Sequence, residues 1–110
     1  MSPLLWHELA DALLELELAL RGSGLWSKES PEPFRLASEA PFCVDTLDFE
    51  QWLQWVFIPR MAEIIAAGES LPGAFRIAPM AEEAFAHLGR RRDTLVAVLS
   101  RIDGLAARIG

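Results

Sequence analysis

The sequence predicts an all-α protein, a four-helix bundle formed by a single domain over residues 1–110. Apolar residues recur at three- and four-residue spacings in four segments, as expected on the buried face of a helix. Proline and glycine mark the ends of these segments. A strand is not expected, because the most extended stretch, residues 75–78, is too short and has no partner.

The first predicted helix runs from about Pro3 to Arg21. Ser2 would cap it, Pro3 suits its first turn, and Gly22 would end it. Its buried face is predicted to consist of Leu5, Leu9, Ala12, Leu13, Leu16 and Leu20. One stripe of this helix should therefore face a core.

A long connection over residues 22–44 contains two glycines and three prolines and shows no sustained period. Loops longer than about 15 residues are uncommon in compact domains unless they pack or carry function. We therefore expect an ordered loop, held across the bundle by its apolar residues Leu25, Trp26, Phe34, Leu36 and Phe42. Cys43 has no basic neighbour, so a buried structural thiol is expected there.

The second predicted helix begins at Asp45 or Thr46 and ends near Ala67-Gly68. Apolar side chains occupy nearly its whole circumference, which predicts the central and least exposed helix of the bundle. Pro59 lies in its interior, where the missing N–H and the clash with the carbonyl of Trp55 would cost about 3 kcal/mol in an ordinary helix. We therefore predict a kink near Trp55.

Leu71-Pro72-Gly73 predicts a turn, with proline and glycine at its two central positions. The third predicted helix begins at Pro79 and stops at Gly89. The fourth begins near Asp93, a suitable cap. Its apolar face should consist of Leu95, Val98, Leu99, Ile102, Ala106 and Ile109.

The net charge of −6 comes from the first 50 residues, which hold ten acids and three bases, whereas residues 51–110 hold six acids and seven bases. Such a chain is a poor candidate for direct nucleic-acid binding, which depends on clustered lysine and arginine. The run Arg90-Arg91-Arg92 is the exception. A solvated helix entry is the favoured interpretation, and contact with RNA is the weaker alternative.

The sequence suits a cytoplasmic protein. The apolar run from Trp52 to Ile58 is far shorter than the ~20 residues that cross a bilayer, so no membrane role is expected. Glu8 and Asp11 interrupt the early leucines, which argues against a secretory segment. The single cysteine allows no internal disulfide, as is usual in a reducing compartment.

Residues for hydrolytic or metal chemistry do not form a recognisable pattern. The two histidines, His7 and His87, belong to no catalytic or metal-binding motif. Gly22-Ser23-Gly24 is a helix stop rather than a phosphate-binding loop. We therefore expect no metal, no cofactor and no catalytic residue, and an enzymatic role is not favoured.

Arg60 is the unusual residue of the second helix. On an uninterrupted helix, at about 100° per residue, it lies within about 20° of Leu53 on the apolar face. An unpaired cation there would be strongly disfavoured. One interpretation is a fixed ion pair with an acid such as Asp45, Asp48 or Glu83, or hydrogen bonds to carbonyls of the long loop.

The other interpretation is functional: Arg60 lies at the base of a cleft and receives an anionic group of a ligand or partner. The candidate cleft consists of Asp45, Gln51, Trp52, Trp55 and Arg60. Tryptophan and arginine are the typical anchors of protein interfaces, and this chain has four tryptophans. Both interpretations stay open at the level of sequence.

Several unusual groups of residues occur in order with the spacing of a known family. The chain resembles the YqcC-like family of small bacterial proteins at Pro41-Phe42, Asp45-Thr46, residues 50–55, residues 58–61, residues 71–75 and Ala78-Pro79. The resemblance implies an all-helical, cytosolic protein of unknown function. It also implies a link by name with tRNA pseudouridine synthase C, without catalytic residues to carry over.

Three hypotheses follow for function. The first is a non-enzymatic accessory protein whose cleft holds a protein partner, for which the resemblance suggests a tRNA pseudouridine synthase, or a second copy of the chain. The second is a site for an anionic small molecule, or a catalytic site, around Arg60. The third and weakest is RNA contact through Arg90–Arg92.

Overall fold

The computed structural model describes residues 3–71 and 75–109. Its helices are α1 Pro3–Gly22, α2 Pro33–Leu36, α3 Phe49–Trp52, a π turn Leu53–Phe57, α4 Ile58–Ala67, α5 Ala78–Ala84 and α6 Arg90–Ile109, with 3₁₀ turns at Pro41–Cys43 and Ala86–Leu88. No strand occurs in these two ranges, so the predicted all-α class is confirmed. The predicted cap Ser2 and the predicted turn at Pro72-Gly73 lie outside the described residues.

The core is formed where α1 packs against α6, with α5 against α6 and α4 against α1. The predicted buried face of α1 is confirmed at Leu9, Ala12, Leu13, Leu16 and Leu20, whereas Leu5 is half-buried. In α6 the residues predicted to be buried are so except Val98, which is half-buried. None of the described helices is both long and apolar enough to cross a membrane.

The prediction that the second helix is the central one is wrong, whereas the prediction that it is the least exposed is confirmed, because α1 and α6 each have a larger exposed fraction of residues. The last helix, α6, packs against both α1 and α5, whereas α4 presents an outer face to solvent. That face includes Pro59, Ala62, Glu63, Ala66 and Ala67. The sequence misleads here because three of these exposed residues are alanines, which suit a helix surface as well as a core.

Two helix starts differ from their predicted positions. The second helix begins at Phe49 rather than at Asp45 or Thr46, and Asp48 is its N-cap. Residues 41–47 form turns instead, in which the Leu47 N–H donates to the Cys43 carbonyl over 2.8 Å. The last helix, α6, begins at Arg90 rather than near Asp93. Gly89, at φ 61°, stops the preceding 3₁₀ turn, and its carbonyl accepts the Arg92 N–H.

The long connection is held to the bundle, as predicted, by Leu25, Trp26 and Phe42, which pack against the core. Phe34 was expected to be a further anchor, and this is wrong: it is 63% exposed. The single-turn helix α2 directs it outward, and the Arg35 guanidinium lies 5.4 Å from its ring. Cys43 is buried and unpaired, as expected for a structural thiol.

The start of α5 is fixed by a carboxylate from α6. Asp103 accepts the backbone N–H of Ile77, at 3.1 and 2.9 Å from its two oxygens, and the N–H of Ala78 at 2.9 Å. N–H groups at a helix start have no partner within their own helix. This contact therefore stabilises α5 and fixes the backbone that carries Arg76.

Candidate functional site

A π turn over Leu53–Phe57 decides which way the following side chains face. In a π turn each N–H bonds to the carbonyl five residues back, so the turn holds about one residue more than an α turn. The Ile58 N–H donates to the Leu53 carbonyl in this way. At about 100° per residue, the later side chains are rotated back by up to about 100° relative to an uninterrupted helix.

The prediction that Arg60 lies in the middle of the apolar face is therefore wrong. Met61 occupies the core direction instead and is 2% exposed, whereas Arg60 is exposed. Pro59 lies at the second position of α4, in the first turn, where proline is tolerated. The disturbance expected near Trp55 takes the form of this π turn.

The ion-pair interpretation of Arg60 is also not supported. Within residues 3–71 and 75–109, its guanidinium makes no ion pair with Asp45, Asp48, Glu83 or any other acid. Asp45 instead accepts a hydrogen bond from the Ser38 hydroxyl. Because Arg60 is solvated, it needs no fixed partner.

Arg60 lies on a surface groove of about 310 Å³. The groove is formed by side chains of the π turn and α4 together with the irregular residues 75–77 that precede α5. We call it the aromatic groove and define it by Trp52, Phe57, Arg60, Met61, Phe75 and Arg76. Apart from the two arginines, every described residue that lines it is apolar.

A row of aromatic rings forms the wall of the aromatic groove. Trp52 stacks on Phe57 with ring centroids 5.4 Å apart, and Phe75 meets Phe57 edge-on at 5.8 Å. Phe42 meets Trp52 edge-on at 4.9 Å. Such pairs contribute roughly 0.5–1.5 kcal/mol each beyond the burial of their area. The wall is therefore preformed.

The backbone at one end of this wall is strained. Phe42 and Cys43 both have left-handed backbone angles, with φ 58° and 50°. For residues other than glycine this conformation costs roughly 1–2 kcal/mol each. The contact of the Phe42 ring with Trp52 and the burial of Cys43 offset that cost.

The structure brings together two of the five residues predicted for the cleft, Trp52 and Arg60. Trp55 instead lies with Trp26 on a different part of the surface, and its indole N–H is buried without an acceptor among the described residues. Gln51 is occupied at the start of α3, where its side-chain oxygen accepts the Asp48 N–H over 2.9 Å. Asp45 is exposed in the loop, bonded to Ser38.

Arg76 is the groove residue that the sequence did not reveal. It lies between two predicted helices, in a segment without periodicity, and only the fold brings it to Arg60. In Phe75-Arg76-Ile77 one cation stands between apolar residues, but nothing in this pattern indicates that it lies near Arg60.

The arginine run at the start of α6 is partly engaged within the fold. Arg91 donates to the Ser23 carbonyl over 3.0 Å, and Arg92 pairs with Asp93 at 3.2 Å. Arg90 is exposed. These contacts favour the helix-entry interpretation, because two of the three guanidiniums already have acceptors.

Gln54, next to Trp55, ties the long loop to the π turn. It is 5% exposed, accepts the Ser27 N–H over 2.8 Å and donates to the Ser27 carbonyl over 2.6 Å.

Replacing Gln54 by alanine should lower the free energy of unfolding by about 1–3 kcal/mol, because both backbone groups lose a partner. Urea denaturation measures this loss. Gln51→Ala is the matched control, with an expected cost of about 1 kcal/mol or less, and equal losses in the two variants would contradict the special role of Gln54.

Comparison with known proteins places this geometry in a family. The chain is 40% identical over 95 residues to the uncharacterized protein YqcC of Escherichia coli K12, a match that covers 86% of this chain and 87% of that protein. It is 35% identical over 88 residues to an uncharacterized protein of Haemophilus influenzae, covering 80% of this chain and 83% of that protein. The solution NMR structure of YqcC superposes with a TM-score of 0.84 at 36% identity, over 96% of this chain and 91% of YqcC.

Two further matches carry an enzyme's name. A family model described as tRNA pseudouridine synthase C matches residues 8–105. A protein of Pectobacterium carotovorum subsp. carotovorum named tRNA pseudouridine synthase C is 39% identical over 66 residues. That match covers 60% of this chain but 18% of the Pectobacterium protein, so most of the longer protein lies outside it.

Proposed function

This chain belongs to the YqcC-like family, and on that premise we propose that it is a cytoplasmic, non-enzymatic accessory protein that binds a tRNA pseudouridine synthase. One observation carries the proposal. A segment similar to this chain occurs inside a longer protein named tRNA pseudouridine synthase C. Two segments on one polypeptide share a location and a high effective concentration. When the smaller segment exists as a separate chain, a binding surface is needed to bring it to the synthase.

The composition of the aromatic groove supports binding rather than catalysis. The described residues that line it include no carboxylate, imidazole, hydroxyl or thiol that could transfer a proton. Aromatic residues and arginine are instead the residue types enriched at the centres of protein interfaces. The partner would dock on this groove, over Trp52 and Arg60.

The experiment is a binding measurement between this chain and the tRNA pseudouridine synthase C of the same organism, both purified. Isothermal titration and light scattering after gel filtration should give a complex of defined stoichiometry, with or without added tRNA. Separate elution and no heat at tens of micromolar in both conditions would overturn the proposal. A chain with Trp52→Phe, which keeps an aromatic ring against Phe42 and Phe57 but reduces the wall, should bind more weakly, with the circular dichroism spectrum as a check of the fold.

A second candidate function is the binding of an anionic small molecule. The groove volume of about 310 Å³ lies at the lower end of the range for small-ligand sites. Two guanidiniums beside apolar walls would suit an amphipathic anion. Titration with decanoate tests this candidate, and saturable binding that is lost in Arg60→Gln would favour it over a protein partner.

A further inference from the structure

Two arginines at the aromatic groove differ from most arginines of the chain in having no partner. Arg60 and Arg76 are both exposed, and neither makes an ion pair or hydrogen bond with any residue in the described ranges. The arginines with an acceptor in the fold are Arg21, Arg35, Arg91, Arg92 and Arg101. The chain has 16 acidic residues, yet none of the described residues that line this groove is acidic.

The two arginines of the groove lie on a protein of net charge −6, and Arg76 also borders a second depression that contains Glu82 and Asp103. The groove is also lined by Trp52 and Phe75, which are half-buried and offer apolar contact area. Water against such walls is held weakly, and an apolar side chain that displaces it gains free energy. A volume of about 310 Å³ corresponds to about ten water molecules at ~30 Å³ each, enough for one or two large side chains.

The π turn and the cap on α5 both help to place the two arginines on the groove. Without the π turn, Arg60 would face the core and Met61 would turn aside, so the groove would have one cation fewer. Asp103 holds the backbone of residues 77–78 and thereby positions Arg76 from the other side. Irregular π turns within α-helices occur frequently at functional sites.

We propose that the aromatic groove binds a short acidic segment of a partner protein, with a large apolar side chain against Trp52 and Phe75 and a carboxylate on each side of it. The two carboxylates pair with the guanidiniums of Arg60 and Arg76. The proposal rests on the proposed function only in taking the occupant to be a protein. A second copy of this chain is disfavoured as the occupant, because two chains of charge −6 repel each other.

The test uses NMR titration of the isotope-labelled full chain with two synthetic peptides. The first has one tryptophan flanked by two aspartates and two glutamates, and the second has the corresponding asparagines and glutamines. The acidic peptide should shift the resonances of Trp52, Arg60 and Arg76, and the neutral one should bind at least about tenfold more weakly. Binding should weaken with added salt, because the pairs are exposed to solvent.

Arginine variants assign the effect to these two side chains. Arg60→Gln and Arg76→Gln should each weaken the acidic peptide about fivefold, and the double variant at least about tenfold. Arg108→Gln, an exposed arginine of α6 that does not line the groove, is the matched control and should change nothing. Equal binding of the two peptides, or no binding at millimolar concentration, would overturn the proposal.

Two further measurements separate the possible failures. If the pseudouridine synthase binds the double arginine variant as tightly as the unchanged chain, this inference fails while the accessory function stands. If the acidic peptide binds but the synthase does not, the accessory function fails and the acidic-segment site stands. Tighter binding of decanoate than of the peptide, or self-association in sedimentation that the double variant abolishes, would assign the groove to another occupant.

Discussion

Replacing Phe85 by alanine is expected to lower the free energy of unfolding by about 3–5 kcal/mol. Phe85, which directly follows α5, is fully buried, and its ring lies 5.5 Å from that of Phe49, so it joins the end of α5 to the start of α3. Truncation to alanine loses the transfer free energy of the ring and leaves a cavity that the helices fill only partly. Single domains have about 5–15 kcal/mol of stability, so the variant should be close to unfolding.

Thermal denaturation followed by circular dichroism measures this effect, with an expected fall in Tm of about 15–25 °C. Phe34→Ala is the matched control, because it makes the same chemical change at a side chain that is 63% exposed. It should change stability by no more than about 0.5 kcal/mol. Similar losses in the two variants would contradict the packing of α5 described above.

The parts of the fold that the sequence predicts well are those set by local signals. The stripe of Leu9, Leu13, Leu16 and Leu20 repeats at helical spacing and is buried along its length. Proline at the start and glycine at the end bound α1 in the same way. These signals act within a few residues of each other, so no knowledge of the tertiary structure is needed to use them.

The contacts that position the groove are not local. Asp103 caps α5 from 25 and 26 residues away, and Gln54 holds Ser27 across 27 residues. A carboxylate or amide in a helix gives no sign in the sequence of which backbone N–H it will meet. For the same reason Arg76 could not be assigned to the site that contains Arg60.

The direction of Arg60 was mispredicted for a more specific reason. Pro59 indicates that the helix must be disturbed near Trp55, but a kink and a π turn both relieve the clash with the carbonyl. A simple bend leaves the later side chains on their original faces, whereas the π turn rotates them. The sequence alone does not distinguish these two outcomes.

Two substitutions at adjacent positions, Met61 and Arg60, test directly whether the π turn rotates these side chains. Met61→Ala should lower the free energy of unfolding by about 2–5 kcal/mol, because Met61 is 2% exposed and lies in the core direction. Arg60→Ala should leave it within about 0.5 kcal/mol, since the guanidinium is solvated and has no ion-pair partner among the described residues. Urea denaturation of both variants gives the comparison. On an uninterrupted α-helix the order would be reversed, with Arg60 facing the core and Met61 rotated away from it. A large loss at Arg60 with a small one at Met61 would therefore remove the π turn, and with it the placement of Arg60 on the aromatic groove.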